Sequence, residues 1–162
     1  MFDINFLYSV PGGLATFLLA MSPIFELRGS IPVGIGVYDL SPMNAYLISV
    51  VGNIIPVIFL LLFLQPVANY LMRFRYGKIF FDWLFSRTYR KHAENHRKYG
   101  LLALIFFVSL PLPVTGAWTG SVIAFLFGLK FKYAFPAIVL GIFIAGAIVT
   151  TSVVGIEFLI FR

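Results

Sequence analysis

The chain has 162 residues, 60% of them hydrophobic and only 11% charged, where an ordinary soluble domain is roughly 25% charged. With a mean hydropathy of +0.98 it has too little polar surface to cover a soluble globule, and one membrane domain over 1–162 is expected. The net charge of +6 does not indicate a nucleic-acid surface, because eight of the twelve Lys and Arg residues lie between 73 and 98, next to apolar spans, where they act as a topology signal. The absence of cysteine excludes disulfides and thiolate metal sites.

At the N-terminus Asp3 stands where a signal peptide would be basic, and no small-residue cleavage site precedes Glu26, so this end is expected to be retained. Residues 10–38 are apolar but interrupted at Pro23 and by ELRGSIP at 26–32. The 22 uncharged residues from 43 to 64 follow, long enough at ~1.5 Å per residue to cross a core of roughly 30 Å. A basic segment, 66–99, alternates cations with Leu71, Phe74, Phe80, Trp83 and Leu84, as a helix lying on an anionic leaflet would. The pattern then repeats: 100–129 is apolar and broken by PLPVTGAWTGS at 111–121, and 134–156 is a second full span.

Each apolar arm before a break is short for a crossing, and irregular backbone at membrane depth is tolerated only where protein or a cavity satisfies it, which predicts re-entrant hairpins. A shift of 89 residues lays Leu40 on Leu129, Ala45 on Ala134, Val50 on Val139 and Gly52 on Gly141. Half 1 (10–64) and half 2 (100–161) are thus each a broken-helix hairpin followed by a transmembrane helix. A hairpin contributes none or two crossings and the span one, so equivalent halves must have inverted topology. The predicted fold is an all-α integral membrane protein with inverted halves joined by the basic amphipathic segment. Lys130 and Lys132 follow the second hairpin, whereas YDLSP at 38–42 has no cation, which puts 66–99 in the cytoplasm and both termini outside.

An ionisable side chain at membrane depth costs at least ~2.5 kcal/mol and marks a candidate site. Glu26 and Arg28 are such residues; at i and i+2 they diverge on a regular helix, so a mutual salt bridge requires the break that Pro23, Gly29 and Pro32 permit. They bind substrate or a coupling proton, or they are a structural ion pair between hairpins. Desolvation favours the neutral form of Glu26 and Arg28 favours its carboxylate, an opposition the sequence leaves open.

The second break is uncharged. It offers Ser121, Thr119, Thr115 and the Trp118 indole, with main-chain groups freed by Pro111 and Pro113, as the facing wall of a pocket. Gly116, Gly120, Ala124 and Gly128, at spacing four, form a seam that lets another helix approach. Ser30 lies within the first break. Asn53, three residues before Pro56, either caps groups freed by that proline or lines a cavity. Asp39 is read as a loop residue. His92 and His96 have metal-ligand spacing but sit among cations, so no metal site is expected. No nucleophile triad, metalloprotease, P-loop or dinucleotide motif occurs, so neither an enzyme nor a cofactor is expected.

ELRGSIPVGIG at 26–36, Gly52–Asn53 and PLPVTGAWTGS resemble signature blocks of the small multidrug export family of bacterial and archaeal membrane proteins. That resemblance covers nearly the whole chain and implies a plasma-membrane transporter. The family is more distantly similar to DedA/VTT proteins, several of which translocate polyprenyl phosphate or other lipids. This implies functional acidic and arginine residues at the hairpin tips, carried here to Glu26 and Arg28. The second hairpin departs from the DedA pattern, with Thr115 and Trp118 where arginines usually follow the proline. The leading expectation is a small secondary exporter of amphipathic solutes. A DedA-like lipid translocase binding a phosphate head group and a non-transporting scaffold are the alternatives. The expected partners are the lipid bilayer and a second copy or more of the chain, because a monomer is small for enclosing a path.

Overall fold

The structure, a computed structural model, describes residues 10–79, 82, 97–112 and 115–160. All six of its principal elements are helices: α1 (Gly12–Met21), α2 (Glu26–Gly36), α3 (Pro42–Leu71), α4 (Arg97–Ser109), α5 (Ala117–Leu126) and α6 (Phe131–Ile160). Residues 75–79 form a further short helical stretch. The calls on Pro113, His92, His96, Phe80, Trp83 and Leu84 lie outside the described residues.

α3 and α6 have 30 residues each, and both are long and apolar enough to cross a membrane. Each extends beyond its predicted span of 43–64 or 134–156. α3 starts where the Ser41 hydroxyl accepts the Asn44 N–H at 3.3 Å, with Pro42 supplying the preset first-turn φ. At its far end it includes 66–71, which the sequence assigned to the basic linker; Pro66 does not stop it. No charged residue stands between Pro42 and Arg73, and the two amide side chains at this end, Gln65 and Asn69, hydrogen-bond each other at 3.1 Å one turn apart. α4 similarly takes in 97–99.

The other four helices have 10 to 13 residues, or about 15–20 Å at ~1.5 Å per residue, too short to cross alone. α1 ends at Ser22, which is extended, just before Pro23, whose ring disfavours a helical predecessor. α2 and α5 both end in a turn through a left-handed residue: Asp39 at φ 51 and Gly128 at φ 62. There Leu40 N–H reaches Gly34 O and Leu129 N–H reaches Ala124 O, at 3.0 and 2.9 Å. Satisfying the last carbonyls this way ends the helix and sends the chain back.

α1 packs on α2 and α3, α2 on α3, α4 on α5 and α6, and α5 on α6; between halves, α3 meets α5 and α6, and α2 meets α6. Exchanging the halves reproduces the same set of pairs. Gly52 of α3 lies against Phe17 O and Ala20, and Gly141 of α6 lies against Ile105 O and Val108, in each case too close for a Cβ. The buried core draws on both halves, with Leu27, Ile31, Val50 and Val57 beside Val108, Ala124, Ile138 and Ile142. Leu47, Val51, Phe59, Leu140, Phe143 and Ile148 are exposed, the outward apolar surface of a chain whose solvent is lipid.

Candidate functional site

The two breaks meet. Glu26 is the first residue of α2, at φ 45, a backbone conformation that costs about 1–3 kcal/mol for a side chain other than glycine. The residue is 7% exposed. It accepts the Trp118 main-chain N–H at 3.2 Å, and the Ala117 N–H also faces it. These are the first two residues of α5, whose own N-cap, Gly116, supplies no side-chain bond. Glu26 therefore caps α5 from the opposite half, where the free N–H groups and helix dipole favour a negative charge. Gly116 has φ 146, and a Cβ there would run into the Glu26 carboxylate, so glycine is required by both conformation and space.

Arg28, half-buried, reaches the loop between α4 and α5. Its Nη2 donates to the Thr115 carbonyl, lies 3.0 Å from Thr115 Oγ1 and contacts Leu110 O at 3.4 Å. α4 ends at Ser109 and the N-cap of α5 is Gly116, so Leu110 O lies just past the end of α4 and Thr115 O lies within the break, just before α5. The Thr115 hydroxyl lies 2.7 and 2.8 Å from the carbonyls of Leu110 and Leu112, pinning the break itself. Trp118 reciprocates across the halves, its indole N–H donating to Met21 O, the last carbonyl of α1, at 3.2 Å. Glu26 and Arg28 thus both turn to the break of the other half, the acid to the N–H groups of α5 and the base to carbonyls of the loop between α4 and α5.

Behind Glu26, Ser30 and Ser49 are fully buried and hydrogen-bonded at 2.8 Å. Asn53 is 1% exposed, and its Oδ1 has no hydrogen-bond partner. Thr119 is half-buried on the first turn of α5. Ser121 bonds back to Ala117 O at 2.7 Å within its own helix. Gly120 belongs to a packing seam, where a Cβ would meet Val108 of α4 at 2.5 Å. The Phe25 ring crowds Gly29 in the same way. Pro32 sits inside α2 and Pro23 in the turn before it, while Pro111 follows the end of α4. Ser49 was missed by sequence reasoning, although one turn before Asn53 on an apolar span it is the sort of polar stripe that periodicity can reveal. The Met21 carbonyl carries no sequence signal.

Alongside this cluster is a cavity of about 420 Å³ lined by Met21, Pro56, Phe59, Leu60, Phe63 and Trp118, with further apolar residues toward Val67. The Phe59 and Phe63 rings stack at 6.1 Å. Among the described residues no group of His, Cys, Asp and Glu could hold a metal ion.

No curated protein and no solved structure matches the chain. Residues 26–148 match the family described as "Putative small multi-drug export protein". The matched region starts at Glu26 and takes in α2, all of α3, the 111–121 break, α5 and α6 as far as residue 148, well over half of the chain. With two helices able to cross a membrane and only helices as regular elements among the described residues, the chain is a membrane protein of the small multi-drug export family.

Proposed function

We propose that the protein is a small secondary exporter of amphipathic solutes, with its site at mid-membrane between two re-entrant hairpins. The observation that carries this reading is the meeting of a buried Glu26, Arg28 and four helix ends beside an apolar cavity. An amphipathic solute needs both surfaces, one for its apolar body and one for its polar group. Half-length helices and the exchange symmetry of the contacts support inverted halves, with hairpins entering from opposite sides. In this arrangement 66–99 is cytoplasmic, both termini are outside, the membrane is the plasma membrane of a bacterium or archaeon, and the working unit is a homodimer or larger.

The ionised Glu26 holds the halves together through the α5 N-terminus. Protonation removes the charge that this end attracts, an interaction worth about 0.3–1 kcal/mol at exposed sites and up to ~2 when partly buried. A proton can thereby loosen one half from the other, the rocking on which alternating access depends. Arg28 holds the break of α4 and α5, with Thr115 and Trp118 as the opposing wall, and Ser30, Asn53 and Thr119 complete the polar surroundings. Because Arg28 Nη2 is directed at protein carbonyls, the exporter reading is favoured over a translocase that would need this guanidinium for a lipid phosphate.

The test is efflux of a fluorescent lipophilic cation from proteoliposomes under an imposed pH gradient. Gradient-dependent efflux at least about tenfold slower in Glu26→Gln is expected; equal rates in the two proteins would overturn the reading. Gradient-free movement of labelled polyprenyl phosphate, abolished by Arg28→Ala, would favour the lipid translocase instead.

A further inference from the structure

The partners of α2 along α3 follow a fixed register. A Cβ on Gly34 would lie 3.2 Å from the Ala45 Cβ, and one turn back along α2, Ser30 bonds Ser49, one turn forward along α3. The helices are therefore antiparallel, with i−4 on α2 matched to i+4 on α3. Extended by one more turn to the start of α2, where Glu26 stands at φ 45, the same register points to Asn53 as its counterpart on α3. Both are buried, at 7% and 1% exposure, and Asn53 offers an oxygen acceptor with no partner. Leaving such an acceptor unpaired is costly in a protein interior, more so where lipid replaces water. Glu26, the α2 residue that the register sets opposite it, can supply a hydrogen once its carboxyl is protonated.

We infer that Glu26 and Asn53 form a buried proton-binding site, in which the protonated Glu26 carboxyl donates its O–H to Asn53 Oδ1. One proton is taken up from water, the carboxylate becomes a carboxylic acid, and no other bond changes. The ionised carboxylate caps α5 in the opposite half, whereas the neutral acid bonds α3 in its own half. The proton exchanges an inter-half contact for an intra-half one. The groups that face Glu26 are Arg28 on its own helix and the Ala117 and Trp118 N–H groups of α5, and from α3 the register adds Asn53, a neutral side chain. α1 contributes no ionisable side chain, and the charged residues of α6, Lys132 and Glu157, lie in its first and last turns. Nothing else charged on these elements competes for the proton. The inference rests on the exporter reading only for what the proton drives.

Infrared spectroscopy of the reconstituted protein tests it. A protonated-carboxyl band absent from Glu26→Gln should titrate with pH in the wild type. In Asn53→Leu the acid loses its acceptor, so the midpoint should fall by about one pH unit, a tenfold loss of proton affinity. In Asn53→Asp, where two carboxyls share one site, the band should persist to higher pH than in the wild type. An unchanged midpoint in both variants, or a rise in Asn53→Leu, overturns the site. These readouts are independent of transport: wild-type efflux in Glu26→Gln would sink the exporter reading and leave the proton pair standing.

Discussion

In the first half, α2 faces α3 through Gly34 and Ala45 and then through Ser30 and Ser49, with Glu26 and Asn53 one turn further. In the second half, Gly120 of α5 lies against Val108, Leu104 and Ile138, and Ala124, Ala134 and Ile138 are buried in the apolar core. The same backbone frame therefore carries a polar ladder in one half and a dry seam in the other. The dry half supplies the N–H and C=O groups of its break, and the polar half supplies the charges that fit them. A reciprocal lock of this kind needs only one set of ionisable residues, which limits the number of charges kept at membrane depth.

The largest effect expected concerns whether the halves are inverted. The native chain has no cysteine, so Ser41→Cys and Lys130→Cys, at equivalent exposed turns, each give a single reactive thiol. A membrane-impermeant maleimide applied to intact cells should label the first and spare the second. Labelling of both from one side would break the inverted arrangement.

Next comes Gly116→Ala, which forces a Cβ into the Glu26 carboxylate at a φ suited to glycine. A loss on the order of 3 kcal/mol is expected by denaturant unfolding in mixed micelles. A loss below ~0.5 kcal/mol would mean that the lock does not pass through this point.

Ser30→Ala probes the polar ladder, leaving the Ser49 hydroxyl buried and unpaired at a cost of about 1–2 kcal/mol. Combining it with Ser49→Ala should recover most of that loss, since neither hydroxyl is then orphaned. Simple additivity of the two changes would show that the bond contributes nothing.

The smallest effect compares the two left-handed turns. Gly128→Ala should cost about 1 kcal/mol, whereas Asp39→Gly should be neutral or slightly stabilising, because only the former introduces a Cβ at a positive φ. Equal effects would indicate that the turns are not equivalent.

Hydropathy and punctuation determined much of this protein. Uncharged runs located α3 and α6, and Pro23 and the 111–121 block marked both breaks. The 89-residue shift aligns Pro42 with Phe131 and Leu71 with Ile160, the ends of the two long helices. A buried acid and base inside apolar sequence singled out Glu26 and Arg28. These signals are local: helix period, chain length against bilayer thickness, and the cost of charge in lipid. The ends of α3 ran past their predicted limits because uncharged sequence continues to Leu71 and a proline in lipid need not stop a helix.

Only the tertiary structure decided what Glu26 and Arg28 hold. Their partners, Trp118, Thr115 and Leu110, lie 82 to 92 residues away, and three of the groups bonded are main-chain atoms that any residue could present. The same is true of Met21 O for Trp118 and of the register that brings Asn53 opposite Glu26. Helix ends have no sequence of their own: their free N–H and C=O groups acquire chemistry from whatever the packing of the two halves brings beside them.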